Sequence, residues 1–148
     1  MKQVPLIYVA CPYFHKSQDV MSARFEAVNA FCAELMREGL LIFSPISHTH
    51  PIAQYGLPKG WDFWKAYDQV YLDMCAGAIV LRLGGWENST GVAAEIAEMN
   101  LQRKPVVYAN SNDAMLAVKL IRQAMANTPR RPVVLRKEDL TTPDESLD

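Results

Sequence analysis

A chain of 148 residues, 50% of them hydrophobic, has the size and apolar content of one globular domain with a full core, which leaves no room for a sizeable second domain. Its 15 Lys and Arg stand against 16 Asp and Glu, for a net charge of -1. That balance gives no electrostatic footprint for duplex nucleic acid or an anionic membrane surface, so a small molecule is the expected partner. The 3 cysteines, Cys11, Cys32 and Cys75, lack the paired spacing of a zinc site or a disulfide framework, and their apolar contexts predict buried thiols in a reducing cytoplasm.

The start of the chain passes almost at once into Leu6-Ile7-Tyr8-Val9-Ala10, with no pattern of a secretory leader, and no run has the length needed to span a bilayer. Residues 5 to 11 read as a buried strand ended by Cys11-Pro12. Residues 17 to 38 read as a helix through Met21, Phe25, Val28, Phe31, Leu35 and Met36. Gly39 stops that helix, Leu40 to Phe43 form a second strand, and Ser44-Pro45 end it. Residues 44 to 60, with Pro45, Pro51, Gly56, Pro58 and Gly60, read as one long loop.

Helical spacing returns from Trp61 to Cys75. Ala78 to Leu81 is a third strand, 89 to 103 a third long helix, and Pro105 to Tyr108 a fourth strand. A last helix over 113–126, an edge strand at Arg131 to Leu135 and an acidic tail at 136–148 that frays complete the reading. This alternation predicts a single-domain α/β fold of the doubly wound, flavodoxin- or Rossmann-like kind. Its parallel sheet of four to five strands carries helices on both faces. Ligands in such sheets bind beyond the carboxyl ends of the strands, so the segments after Cys11, Ser44 and Leu83 are expected to converge on one crevice.

The most informative segment is Gly84-Gly85-Trp86-Glu87-Asn88-Ser89-Thr90-Gly91-Val92-Ala93-Ala94-Glu95. Ser89 and Gly91 can present backbone N–H groups at a helix N-terminus, which favours an anion, and Glu95 stands about one and a half turns further in. The same spacing also describes a capped helix with a surface glutamate.

Tyr8-Val9-Ala10-Cys11-Pro12-Tyr13 after a short start, Asp68 before the third strand and Ser89 to Glu95 after it together resemble the nucleoside 2-deoxyribosyltransferase-like superfamily over roughly residues 5 to 108. Phe43 to Ile52 and Trp61-Asp62-Phe63-Trp64 resemble a bacterial and phage branch of it whose members mostly lack an assigned substrate. The resemblance implies cleavage or transfer at the N-glycosidic bond of a nucleoside or nucleoside 5′-monophosphate, through a covalent glycosyl-enzyme intermediate. It implies no metal or organic cofactor, and a homo-oligomer with sites near a neighbouring protomer.

By the same resemblance Glu95 is the nucleophile, Tyr8 its orienting phenol, and Asp68 the group that contacts the sugar or hands a proton to the leaving base. An oxocarbenium-like transition state calls for such a carboxylate, and a second carboxyl in a different environment suits the proton transfer. Glu98 is read as a surface control, while Asp62 and Asp73 compete with Asp68 for its role. Ser89 and Gly91 are expected at the substrate, Ser89 matching a phosphate-binding serine of monophosphate-specific relatives. Tyr13, Cys11 and His48 are also expected in substrate contact.

Two departures from the pattern stand out. Ala76-Gly77 occupies the place where relatives often have an aspartate. Cys11-Pro12-Tyr13-Phe14-His15 replaces a Gly/Ser/Arg-rich phosphate loop, so that Arg24 or Lys16 would have to compensate. His48 and His50 alternate without a nearby carboxylate or thiolate, a weak metal signal, and base or hydroxyl recognition is the preferred role for His48. Trp61, Phe63, Trp64 and Trp86 suit base stacking, a core or a subunit interface. The competing functional readings are a non-catalytic nucleotide-sensing module and a structural oligomer of the same fold.

Overall fold

The computed structural model describes residues 5–128 of the chain. The expected edge strand at Arg131 to Leu135 and the tail at 136–148 lie outside the described residues. Four strands, β1 (Leu6–Ala10), β2 (Leu41–Phe43), β3 (Gly77–Leu81) and β4 (Val106–Ala109), form one parallel sheet in the order β2-β1-β3-β4. The helices are α1 (Gln18–Arg37), α2 (Pro45–Ala53), α3 (Trp61–Met74), α4 (Thr90–Leu101) and α5 (Ala114–Asn127), and the architecture is the expected doubly wound α/β fold. Among the described residues, no helix is long and apolar enough to cross a membrane.

Side chains alternate across a pleated strand, and this alternation divides the core in two. Ile7, Val9 and Cys11 pack with Val28, Phe31 and Leu35 of α1 and with Val118 and Ile121 of α5. Tyr8 and Ala10 point to the opposite face, against Leu72 of α3 and Val92 and Met99 of α4. Tyr8 therefore faces the two helices that carry Asp68 and Glu95. The winding reverses between β1 and β3, the neighbours at the centre of the sheet, and a crevice opens there beyond the strand ends.

Helix ends follow local chemistry. Ser17 caps α1 by accepting from the Val20 amide at 3.4 Å, and Gly39 ends it with φ +87, a conformation that costs other residues side-chain clashes.

The segment read as one long loop over 44–60 is a helix in its first half. Ser44 caps α2, accepting from the Ser47 amide at 3.3 Å, and Pro45 occupies the first turn, where its missing N–H leaves nothing unpaired. Pro51 lies in the last turn, where its missing N–H costs the one bond that the Ser47 carbonyl would accept and the helix ends two residues later. Thr49 Oγ1 donates to the Pro45 carbonyl at 2.8 Å and tightens the middle of the helix. The proline count was a poor guide because both rings sit at tolerated positions.

Gly77 stands where close packing leaves no room for a side chain. A Cβ there would stand 2.9 Å from the Pro105 carbonyl oxygen and 3.3 Å from Ile121 Cδ1, so neither aspartate nor alanine fits without shifting β3 against β4. Gly77→Ala is expected to destabilise the fold by about 1–3 kcal/mol, read as a lower midpoint in thermal unfolding.

Candidate functional site

A cavity of about 350 Å³ opens at the β1/β3 crevice, within the size range of small-molecule sites. Cys11 and Tyr13 line it from the segment after β1, Pro45, Ile46 and Thr49 from α2, and Ser89, Gly91 and Glu95 from the segment after β3 and from α4. The three expected segments do converge. Trp61, Trp64 and Asp68 of α3 complete the wall.

Glu95 takes a core position of its helix. With Val92 and Met99 it forms the buried stripe of α4, where packing alone would ask for an apolar residue. Asp68 does the same beside Leu72 on α3. Glu95 is only 6% exposed and Asp68 7%, and Tyr8 is fully buried. One oxygen of each carboxyl, and the Tyr8 hydroxyl, have no hydrogen-bond partner among the described residues. Folding has thus placed three polar groups in an apolar layer at a cost of about 1–3 kcal/mol for each unmet hydrogen bond.

Electrostatics follows from that burial. Loss of solvent pushes the Glu95 carboxyl up to about 8; the nearby Tyr8 phenol pulls it partly back and the Asp68 charge adds to the rise. Desolvation likewise raises Asp68 to about 7. The Tyr8 phenol is held well above its usual range by burial first, then by the charges of Glu95 and Asp68. Tyr8 acts on Glu95 as a nearby donor, yet the two stand outside ordinary hydrogen-bond geometry. Tyr8→Phe removes the phenol that pulls the Glu95 carboxyl back toward its usual range, so the upper limb of the stability–pH profile is expected to move to higher pH, read by denaturant unfolding.

The competing carboxyls separate cleanly. Asp62 is exposed at the rim, 4.0 Å from Lys65 Nζ, and exposed Asp73 accepts from Gln69 and Gln102. Glu98, the control, is half-buried and accepts from Gln102 at 2.8 Å. Ser89 caps α4 through a 3.3 Å bond from the Val92 amide, so its oxygen accepts from the helix while its hydroxyl proton remains available to a ligand. Gly91 lies under Trp61; an added Cβ would touch that ring only at 3.5 Å, so packing does not demand glycine.

His48 is not brought to the cavity. It is exposed, and it meets Tyr67 at 3.0 Å and the rings of Phe43 and Tyr71. The alternation that was read along an extended loop becomes angular separation on a helix, and His48 and His50 diverge. His50 is the buried one, bonded to Tyr13. Neither Arg24 nor Lys16 lines the cavity. Arg24 donates instead to the carbonyls of Tyr13, Phe14 and Gly84, and Lys59 is the cation on the wall. Phe14, Thr49 and Asn88, which fall inside the quoted segments without a role of their own, also line the cavity, as does Lys59, which no motif signals.

Residues 5–111 match the family described as a domain of unknown function (DUF1937). The chain belongs to that family. The DUF1937 match runs from β1 through β4 and takes in every residue of the cavity wall. No curated protein matches the chain.

Proposed function

We propose that the protein cleaves or transfers at the N-glycosidic bond of a (deoxy)nucleoside or nucleoside 5′-monophosphate, with Glu95 as nucleophile. The observation that carries this reading is the pair of buried, under-partnered carboxyls of Asp68 and Glu95 on the wall of a cavity of nucleoside size, with the unpartnered Tyr8 hydroxyl buried behind them. Two carboxyls with pKa values near 7 and 8 share roughly one proton at neutral pH, which is what a reaction with one ionised and one protonated carboxyl requires.

In the first step a Glu95 oxygen bonds to the anomeric carbon as the bond to the base nitrogen breaks. The electron pair leaves with the base, which takes a proton from Asp68. In the second step water, or a second base, attacks the same carbon, the Glu95 carboxylate departs, and Asp68 recovers a proton. In the empty site deeper burial favours the proton on Glu95, so moving it to Asp68 has a cost. A developing oxocarbenium ion beside Glu95 offsets that cost, because the same low-polarity surroundings that raise the pKa strengthen attraction to a cation. Tyr8 steadies the ionised carboxylate without adding charge.

The test is incubation with a panel of nucleosides, deoxynucleosides and their 5′-monophosphates, with and without a free acceptor base, read by chromatography for released base. Release from at least one member is expected. Ligand-induced stabilisation with no release from any member would contradict catalysis and favour the sensing module.

A further inference from the structure

The loop after β1 holds a side-chain arrangement that the proposed chemistry does not use. The Tyr13 hydroxyl lies 2.5 Å from His50 Nδ1, and the two rings meet edge to face with centroids 5.4 Å apart. The imidazole also stacks on Phe25, with centroids 4.3 Å apart. Gln54 Nε2 donates to the His50 carbonyl at 2.8 Å and stands 3.5 Å from the same Nδ1. The Gln54 amide is committed to the His50 carbonyl, and the close contact of Nδ1 with the Tyr13 hydroxyl is the bond that holds the phenol.

Arg24 holds the same loop from its other side. Nη1 donates to the Tyr13 carbonyl at 3.2 Å and the Phe14 carbonyl at 3.1 Å, while Nη2 donates to Gly84 at 2.8 Å. Gly84 belongs to the segment after β3, so one guanidinium ties together the two segments that frame the crevice. No carboxylate among the described residues pairs with it. A planar fork with several donors is suited to bridging carbonyls in this way, and a lysine is not.

We propose that His50 and Arg24 are positioning residues that fix Tyr13 as a preformed wall of the cavity, with the Tyr13 hydroxyl committed to His50 and not to the ligand. The arrangement turns the unusual Cys11-Pro12-Tyr13-Phe14 segment into a rigid jaw, and exposed Phe14 is presented at its rim. A wall held in advance lowers the ordering cost of binding, so its loss falls on affinity more than on the chemical step.

The kinetic part of the test rests on the glycosidic reading; the exchange part does not. Tyr13→Phe removes only the hydroxyl, and His50→Phe removes its partner nitrogen while keeping a ring against Phe25. Each is expected to raise KM about tenfold with kcat within about threefold, and the double variant is expected to match the worse single one, because both break the same bond. Amide exchange at residues 11–16 should rise about tenfold in both singles, no further in the double, and also in Arg24→Gln. If the parent releases no base from any substrate, the exchange cycle still decides the positioning claim. A Tyr13→Phe effect that falls on kcat and is equally large in both His50 backgrounds, or exchange unchanged in the variants, overturns it.

Discussion

Glu95→Gln is expected to lower base release by at least about a thousandfold and, in the same protein, to raise thermal stability at pH 8.5. The two effects share a cause. Glu95 sits in the apolar stripe of α4, 6% exposed, with one oxygen unpartnered, so its charge is held where packing would prefer a neutral side chain. An amide of the same shape has no charge to desolvate and no ability to attack a sugar. A pKa raised from 4.5 to about 8 corresponds to about 5 kcal/mol of destabilisation at alkaline pH, of which about 2–4 kcal/mol is expected as a measured gain of several degrees. At pH 4 the parent carboxyl is protonated in both folded and unfolded chains, and the gain should vanish. A glutamate on an ordinary helix surface would show neither the rate loss nor the pH-dependent gain.

The second large effect is the pH dependence of the parent itself. Both raised carboxyls keep their protons in the folded chain at pH values where the unfolded chain has lost them, between about 4 and 7 for Asp68 and between about 4.5 and 8 for Glu95. The folded state binds more protons over that interval, so stability falls as pH rises through it and levels off above about 8. The expected change is several kcal/mol, less than the sum of the two because they titrate as a pair. Asp68→Asn should shallow the slope up to about pH 7 and Glu95→Gln should shallow it up to about pH 8, so that only the second change removes the part above 7, as measured by denaturant unfolding from pH 4.5 to 9. For turnover, the form with one proton on the pair peaks between the two values, so kcat/KM is expected to be bell-shaped with limbs near 7 and 8. Stability that rises from pH 5 to 8 would contradict both buried charges.

Much of the fold was legible because its signals are local. Val28, Phe31 and Leu35 mark α1 by spacing, and the apolar runs around Ile7 and Ile79 mark central strands buried on both faces. The trio was named through the superfamily resemblance and not through periodicity, and the sequence left open whether Glu95 was a surface residue; its burial comes from the neighbouring layer. What could not be read was α2, where Pro45 and Pro51 look like breakers and happen to occupy the first and last turns. That misreading carried His48 into the crevice and left His50 without a role, since the direction of each depends on helical geometry. Arg24 was equally hidden, because its partners are backbone carbonyls of residues far along the chain and carbonyls carry no sequence signature.

The most direct test of a covalent role for Glu95 is acid quenching during the first turnovers on a substrate that releases base, followed by peptide mass spectrometry. The account predicts the mass of the substrate's sugar moiety on the peptide containing Glu95, and none in Glu95→Gln. Stoichiometric base release with no sugar on that peptide, or with the sugar on the peptide containing Asp68, would contradict it.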